Sequence, residues 1–390
     1  MATFSLCMIV KNEEAVLRQC LSSAKDICDE IVIVDTGSTD RTKEIAAEFT
    51  SHILDFTWTY DFSAARQYAF DQATMDYIMW LDADDVLLEQ DRQKLKMLKD
   101  GLHPSVDVVS MLYHVDFDSA GHPTFSYRRH RIVKRTRGFR WIGPVHEYLE
   151  VGSSEVLLSD AAVTHNKSAK PIADIEFDRN LNIYENRLKR GEAFSPRDLF
   201  YYANELRHHH QYLKAIMYYR DFLASKKGGT EDEIRACINM ADCYSALGDQ
   251  SKELESLVMT MKYDVPRPEV SCKIGDIYKT NSRWNQAVFW YRLALEMETD
   301  DTQGFVQKHF STWYPHLQLC VCYWNLGEQE RAYEHNNQAK KYWPDCPEIQ
   351  RNDAFFKSYF GRNDGSRDEM MSMRSISQPV ENRPQEGPAT

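Results

Sequence analysis

The chain has 390 residues, of which 43% are hydrophobic and 12% are aromatic, so it can bury one large hydrophobic core and one smaller core. Its formal charge of −12 argues against general nucleic-acid binding, because proteins of that class direct an excess of positive charge at the phosphates. The nine cysteines form no Cys-x-x-Cys pair and lie mostly in apolar stretches, which indicates reduced core thiols rather than a disulfide framework.

The beginning of the sequence is an apolar strand pattern rather than a basic segment followed by an apolar leader. No later run approaches the roughly 20 apolar residues that cross a bilayer. We therefore expect a soluble, cytoplasmic protein without a transmembrane segment.

Apolar strand patterns alternate with helical patterns in the first 90 residues. The strand patterns cover residues 4–10 (FSLCMIV), 30–34 (EIVIV) and 77–81 (YIMWL), and helical patterns follow the first two at residues 16–21 and 41–49. A strand, a polar loop, a helix and a second strand are the pattern of a parallel sheet in an α/β domain. Such sheets bind ligands beyond the carboxyl ends of their strands.

Polar residues follow each of these strand patterns. Asn12 comes after the first strand, Asp35 ends the second, and Asp82 and Asp84 follow the third. Because they lie at strand ends, we expect them to share one cleft. Alternation directs Asp82 and Asp84 to one side of an extended chain, and such a carboxylate pair suits Mg²⁺ or Mn²⁺ with a bound diphosphate. A merely solvated acidic turn is the alternative.

A strongly basic segment occupies residues 128–140 (RRHRIVKRTRGFR). One interpretation is an exposed edge hairpin whose charges discourage strand pairing with other molecules. In the other, one or more arginines reach the cleft, where a guanidinium suits a diphosphate or an acidic acceptor. An anionic membrane surface is a third partner for such a patch. The sequence does not select one arginine.

The second half of the chain is helical and contains a repeat. Residues 241–244 (ADCY) recur 34 residues later as residues 275–278 (GDIY), and residues 319–323 (LCVCY) follow after a longer gap. An earlier copy is formed by residues 202–206 (YANEL) and 212–216 (YLKAI). This period is the tetratricopeptide signature, and such solenoids present a surface for peptides or partner proteins and for homo-oligomerisation.

Three regions are predicted from these patterns. Residues 1–170 form the α/β domain, and residues 171–360 form the helical repeat domain. Residues 361–390 are rich in Ser, Arg, Asn, Pro and Met without periodicity and are expected to be a disordered tail.

Several short motifs carry a resemblance to a known family. They are, in chain order, SLCMIVKNEE at 5–14, IVDTGSTD at 33–40, WTYDFSAAR at 58–66, LDADD at 81–85, GPVHE at 143–147 and THN at 164–166. The chain resembles family 2 glycosyltransferases with the GT-A (nucleotide-diphospho-sugar transferase) fold. More narrowly, it is similar to the branch with tetratricopeptide-like repeats that includes sublancin-type peptide S-glycosyltransferases. The resemblance covers roughly residues 4 to 345, and Gln67 departs from the Asn that is common in that branch.

The resemblance implies a binding site for a nucleotide-sugar donor, most simply a UDP-sugar. Asp35 would accept a hydrogen bond from the uracil imide, and Asn12 and Glu13 would touch the nucleoside. Asp61 and Arg66 would line the diphosphate or brace the loop that does. The residues implied in donor binding are Val10, Asn12, Glu13, Asp35, Ser38, Asp61, Arg66, Asp82 and Ala83.

The resemblance also implies a metal site and a catalytic base. Asp84, Asp82 and His165 would hold Mg²⁺ or Mn²⁺, which would stabilise the departing diphosphate. Glu147 would deprotonate the acceptor, with His146 as the competing base. The alternative is that these two residues only order their loop.

The function expected from sequence is therefore metal-dependent, inverting transfer of a sugar from a nucleotide donor to an acceptor. In one version the helical repeats dock a peptide or protein acceptor. In the alternative version the enzyme builds a cell-surface polysaccharide or glycolipid, and the repeats serve as an interaction module. A non-enzymatic adaptor would leave the motifs of the first half unexplained.

Overall fold

The computed structural model describes residues 1–117, 123–166, 178–297 and 307–361. The chain divides into two compact units, Met1–Glu205 and Leu206–Thr390.

The first unit contains an eight-stranded mixed sheet and a separate two-stranded hairpin. The strands are β1 (Phe4–Val10), β2 (Glu30–Asp35), β3 (Ile53–Asp55), β4 (Tyr77–Trp80), β5 (Asp85–Val86), β6 (Val108–Phe117), β7 (Pro123–Lys134), β8 (Arg140–Ile142), β9 (Tyr148–Glu150) and β10 (Val156–His165). The order in the large sheet is β3-β2-β1-β4-β7-β6-β10-β5, and β8 pairs with β9. Strands β1 to β4 are parallel, whereas β7 runs antiparallel to β4 and β6. The predicted α/β class is confirmed, with a mixed rather than wholly parallel sheet.

Helices cover both faces of this sheet. The helices of the first unit are α1 (Leu17–Ala24), α2 (Thr42–Ala46), α3 (Phe62–Asp71), α4 (Glu89–Gly101), α5 (Arg179–Lys189) and α6 (Pro196–His208), whose last residues extend into the second unit. Leu6 of β1 belongs to one core cluster with Leu17 of α1, and the next residue, Cys7, belongs to the opposite cluster with Phe70 of α3. Burial on both faces explains why these strands are almost continuously apolar.

The register of the parallel strands places their carboxyl ends together. Val10 of β1 pairs with Asp35 of β2, and Cys7 of β1 pairs with Trp80 of β4. The polar residues that follow these strands therefore meet at one edge of the sheet, as predicted.

The second unit is helical in its described residues. Its helices are α7 (Tyr212–Ser225), α8 (Thr230–Ala246), α9 (Gln250–Met259), α10 (Pro268–Thr280), α11 (Trp284–Glu296), α12 (Trp313–Asn325), α13 (Gln329–Tyr342) and α14 (Pro347–Gly361). Each of these helices packs against the next along the chain. The predicted tetratricopeptide-like repeats are confirmed by this succession of helices.

The repeated motif marks a close contact between helices. A Cβ on Gly275 of α10 would lie 2.7 Å from the ring of Tyr291 on α11. The Tyr291 hydroxyl donates to Asp276 Oδ1 at 2.6 Å, and the Tyr314 hydroxyl donates to Asp276 Oδ2 at 2.7 Å. One motif therefore joins three helices, which explains the small residue and the adjacent carboxylate.

The predicted boundary after residue 170 lies within residues 167–177, which are outside the described residues. The compact units divide after Glu205, so α5 and most of α6 belong to the first unit. The boundary at residue 170 stays a prediction, as does the predicted tail, of which residues 362–390 lie outside the described part. No helix among the described residues has the length and apolar character needed to cross a membrane.

Candidate functional site

Asp35 ends β2 with only one of its carboxylate oxygens satisfied. The residue is 2% exposed, and its Oδ1 accepts hydrogen bonds from the backbone N–H groups of Gly37 and Ser38, each at 2.9 Å. Oδ2 is buried and has no hydrogen-bond partner among the described residues. A buried unsatisfied acceptor costs free energy, and a ligand N–H would remove that cost.

The loop after β1 lies against the loop after Asp35. The Asn12 backbone N–H donates to Ser38 Oγ at 3.0 Å, and Asn12 Oδ1 accepts from the Thr39 N–H at 2.8 Å. The Glu13 N–H donates to Thr42 Oγ1 at 2.6 Å. The structure therefore brings together Asn12, Glu13 and Ser38 from the predicted donor site.

Arg66 on α3 connects two predicted site residues. The side chain is 9% exposed, and it donates to Asp82 Oδ1 through Nη2 and to Glu147 Oε1 through Nε, both at 2.6 Å. Its guanidinium packs over the rings of Trp80 and Trp141, at 4.9 and 5.1 Å from their centroids. Burial opposes ionisation of Asp82, but nearby arginines, Arg66 first, outweigh it and hold the pKa of Asp82 below its usual range.

Asp61 supports the helix that carries Arg66. Its Oδ1 accepts from the Ala64 N–H at 3.0 Å and from Ser63 Oγ at 2.7 Å, which makes it the N-cap of α3. The next N–H, that of Phe62, donates to the Pro144 carbonyl at 2.8 Å. These contacts fit the bracing role among the two that the sequence left open for Asp61.

The basic segment forms much of β7, where two of its arginines have different surroundings. Arg131 and Asp85 form a fully buried ion pair with Nη1 and Oδ2 3.0 Å apart, and the Arg131 guanidinium lies 4.0 Å from the Trp80 ring centroid. Arg129 is 19% exposed, and its Nη1 lies 3.7 Å from Asp82 Oδ2.

Of these two arginines, Arg129 is therefore the one that lies beside Asp82 and is partly exposed, whereas Arg131 is fully buried against Asp85. The Arg129 guanidinium also packs over the rings of Trp80, Tyr113 and Tyr127. Sequence reasoning could not select Arg129, because the choice depends on the register between β4 and β7. Met79 pairs with Ile132 in that register, which brings Arg129 alongside Asp82.

A candidate metal centre lies next to these residues. One ligand atom each from Asp84, Asp85 and His165 lies within 4.8 Å of the others, and His165 Nδ1 is 3.7 Å from Asp84 Oδ1. Strand pairing produces this arrangement, because His165 of β10 lies opposite Asp85 of β5. Ala83, between Asp82 and Asp84, is buried.

The candidate metal ligands in this cluster differ in one member from the predicted ligands, which were Asp84, Asp82 and His165. Asp85 takes the place of Asp82 in this cluster, while Asp82 binds Arg66 and Asp85 also binds Arg131. Burial, followed by repulsion from Asp82, Asp85 and Glu13, raises the pKa of Asp84 to about 7. A divalent cation would relieve that repulsion, and a carboxylate oxygen with an imidazole nitrogen suits Mn²⁺, so Asp84 and His165 fit a metal.

The two candidate bases, adjacent in sequence, face different surroundings. Glu147 is directed at Arg66, as described above, whereas His146 is 6% exposed and its Nε2 lies 2.7 Å from Glu205 Oε1 on α6. The His146 ring also stacks on Tyr201, with centroids 4.4 Å apart and planes 16° apart. The structure thus brings Glu147 together with Asp82 and separates the imidazole of His146 from that group.

Comparison with known proteins agrees with this geometry. Residues 5–149 match the model of the family described as "Glycosyl transferase family 2". This segment is a family 2 glycosyltransferase domain. The predicted resemblance to that family, with tetratricopeptide-like repeats after the domain, is confirmed.

Three curated relatives are similar to parts of this chain. A TPR repeat-containing protein of Synechococcus elongatus is 39% identical over 150 residues, which are 38% of this chain and 36% of that protein. The SPbeta prophage-derived glycosyltransferase SunS of Bacillus subtilis is 29% identical over 265 residues, 66% of this chain and 57% of SunS. The lipopolysaccharide core biosynthesis glycosyltransferase LpsC of Rhizobium meliloti is 26% identical over 147 residues, 35% of this chain and 52% of LpsC.

The chain thus spans less than two thirds of the length of each of these relatives. Among solved structures, that of MamA aligns with 46% of this chain and 91% of its own, at 13% identity and a TM-score of 0.36.

Proposed function

We propose that this protein is a metal-dependent glycosyltransferase that transfers a sugar from a nucleotide donor to an acceptor with inversion at the anomeric carbon. The observation that supports the proposal is a family 2 match over residues 5–149 in which Asp35 ends a strand of the sheet, Asp84 pairs with His165, and Arg66 joins Glu147 to Asp82. These groups supply a nucleobase contact, a cation site and a proton acceptor.

A uridine diphosphate sugar is the donor that this site favours. Asp35 Oδ2 is a buried acceptor with no donor among the described residues, and the uracil imide N–H is a matching donor. Asn12, Glu13 and Ser38 border the same loop and would contact the nucleoside. Val10 and Ala83 would contribute backbone and packing contacts there.

Asp84 and His165 would hold Mg²⁺ or Mn²⁺ in the proposed enzyme. A bound divalent cation supplies positive charge for the diphosphate as it departs. Arg129 adds a partly buried guanidinium whose Nη1 lies 3.7 Å from Asp82 Oδ2.

Glu147 is the proposed general base. Its Oε1 accepts from Arg66 Nε, while its Oε2 has no hydrogen bond among the described residues and is available to an acceptor hydroxyl or thiol. The acceptor proton passes to Glu147, the acceptor atom bonds to the anomeric carbon, and the bond from that carbon to the diphosphate breaks. The nucleoside diphosphate leaves with the bonding electron pair.

A peptide or protein side chain is the proposed acceptor, docked by the helical repeats. The similarity to SunS covers 265 residues and is therefore longer than the matched domain, so it continues into the helical half. The second candidate is a glycan or glycolipid acceptor, which is favoured by the similarity to LpsC. In both versions the proposal places the reaction in the cytoplasm and leaves the repeats able to form homo-oligomers.

A donor screen tests this proposal. The full-length protein is incubated with UDP-, GDP- and ADP-sugars in the presence of Mn²⁺, Mg²⁺ or a chelator, with pools of peptides and of oligosaccharides as acceptors. Mass spectrometry should detect hydrolysis of the UDP-sugar and a glycosylated peptide, and both should form only when a divalent metal is present. Failure to use any nucleotide sugar would refute the proposed glycosyltransferase activity. Equal activity in the presence of the chelator would refute metal dependence. Products formed only with oligosaccharides would favour the second candidate acceptor.

A further inference from the structure

The loop of residues 143–147, which carries Glu147, is held from two sides. On the side of α3, Glu147 accepts from Arg66, and the Pro144 carbonyl accepts from the Phe62 N–H. These contacts join the loop to the helix next to Asp82. They do not involve the side chain of His146.

On its other side the loop is held by α5 and α6. The side chains of His146 and Glu205 are 2% and 6% exposed, and Nε2 and Oε1 are 2.7 Å apart. Asn180 of α5 donates to the same Glu205 oxygen at 3.2 Å. The carbonyl of His146 accepts from Arg197 Nη2 at 3.0 Å, and the imidazole stacks on Tyr201. Both the backbone and the side chain of His146 are therefore fixed by the helix pair.

His146 has a backbone conformation that needs this support. Its φ of 50° lies in the left-handed region, which a residue with a Cβ adopts only at a cost in free energy. Such conformations persist where the surrounding contacts determine them. Here His146 contacts α6 while the next residue, Glu147, contacts Arg66.

We propose that Glu205 is a positioning residue for the catalytic base. It acts through His146. By holding the His146 side chain, Glu205 stabilises the left-handed backbone turn that directs the next residue, Glu147, into the site. The inference rests on the proposed function, in which Glu147 takes the acceptor proton. It makes α5 and α6 part of the catalytic machinery, although they follow the sheet in the helical half of the sequence.

Substitutions of Glu205 in the full chain test this role. Glu205→Ala removes the oxygen that His146 contacts, so we expect kcat to fall roughly tenfold or more, with the Kd for UDP changed less than about twofold. Glu205→Gln retains an Oε1 acceptor and should restore kcat to within about threefold of the wild type. The matched control is Glu192→Ala, because Glu192 lies between the same two helices and, within the described part of the chain, forms its ion pairs with Arg187 and Arg190. It should leave both values unchanged.

A double-mutant cycle separates positioning from general destabilisation. If Glu205 acts through Glu147, Glu205→Ala should reduce the residual rate of a Glu147→Gln enzyme by less than about twofold, since the base that it positions is already lost. Equal losses in both backgrounds would overturn the inference, as would a wild-type kcat in Glu205→Ala. A Glu147→Gln enzyme with full activity would instead refute the base assignment in the proposed function.

A second variant covers failure of Glu205→Ala to fold. His146→Asn retains a residue type that tolerates the left-handed region, but its shorter side chain does not reach Glu205. We expect the same loss of kcat at unchanged UDP affinity. Wild-type kcat in this variant would overturn the inference.

Discussion

At the scale of single residues, Asp84 is the carboxylate on which the proposed cation binding depends. Asp84→Asn removes one of the two groups that fit the metal, so we expect UDP binding in the presence of Mn²⁺ to weaken by roughly tenfold or more. Calorimetry with UDP, with and without Mn²⁺, measures the change. The matched control is Asp160→Asn, a carboxylate 85% exposed on the same strand as His165. Unchanged binding in Asp84→Asn would exclude Asp84 from the metal site.

Glu147 carries the corresponding prediction for proton transfer. Glu147→Gln retains an oxygen that can accept from Arg66 but cannot take the acceptor proton. We therefore expect transfer to fall by about 10²–10⁴-fold while UDP affinity is preserved. Initial rates with the identified acceptor and calorimetry with UDP are the measurements. Loss of UDP affinity together with rate would show instead that the Arg66 contact, rather than the base, was disturbed.

At the scale of the elements, the contact between α10 and α11 depends on the absence of a side chain at residue 275. Gly275→Ala would place a methyl group 2.7 Å from Tyr291, whose ring is 0% exposed and whose hydroxyl is bonded to Asp276. The ring cannot move without breaking that hydrogen bond, so we expect a loss of about 1–3 kcal/mol in the free energy of unfolding of the helical unit. Urea unfolding followed by circular dichroism measures it.

The control for this prediction is Gly229→Ala, where the atom of the described residues nearest to the new methyl group would be an Asp232 carboxylate oxygen, at 4.0 Å. We expect this substitution to cost much less than Gly275→Ala. Equal costs for the two variants would contradict the explanation from close packing of the two helices.

Helices α12 and α13 are linked by two histidines that should make the stability of this unit depend on pH. His316 Nδ1 and His335 Nδ1 are 2.9 Å apart. Burial, with smaller effects of neighbouring positive charge, lowers the pKa of each from 6.5 to about 4. The folded state binds fewer protons than the unfolded state at this pair. The pair's contribution to the free energy of unfolding is therefore fully present above pH about 6.5 and is lost as the pH falls towards about 4.

Thermal unfolding between pH 7.5 and 4 tests this expectation. The Tm of the helical unit should fall as the pH decreases below about 6.5, and His316→Phe should reduce the slope by removing one of the two titrating groups. His210→Gln, at an exposed position of the same unit, is the control and should retain the wild-type slope. A wild-type slope in His316→Phe would exclude this pair as the cause.

At the scale of the whole molecule, sequence patterns predicted the structural features that depend on residues close together in the chain. Apolar strands followed by polar residues gave the sheet edge with Asp35 and Asp84, and the 34-residue period gave the helical repeats. Contacts between distant strands and helices were beyond such patterns. The register of β7 decides that Arg129 faces Asp82, and the pairing of β10 with β5 decides that Asp85 joins His165. The contact of His146 with Glu205 joins residues 59 positions apart and had no signal in the sequence.

The roles proposed for the two halves lead to a prediction for shortened proteins. A protein ending at residue 191 lacks Arg197 and Glu205, which hold the loop of Glu147, whereas one ending at residue 210 retains them. After circular dichroism establishes that each is folded, both should bind UDP, because the residues of the proposed nucleotide and metal site, from Asn12 to His165, precede residue 191. Hydrolysis of the UDP-sugar should persist in the longer protein and be weaker in the shorter one.

Acceptor specificity distinguishes the two versions of the function in the protein ending at residue 210. If the repeats dock a polypeptide, transfer to a small thiol or a simple sugar should remain close to the full-length rate. Transfer to the polypeptide should collapse, since docking energy brings its side chain to the anomeric carbon. Rates measured by mass spectrometry for both acceptors give the ratio. Modification of the polypeptide at the full-length rate would refute docking and leave the repeats as an assembly module.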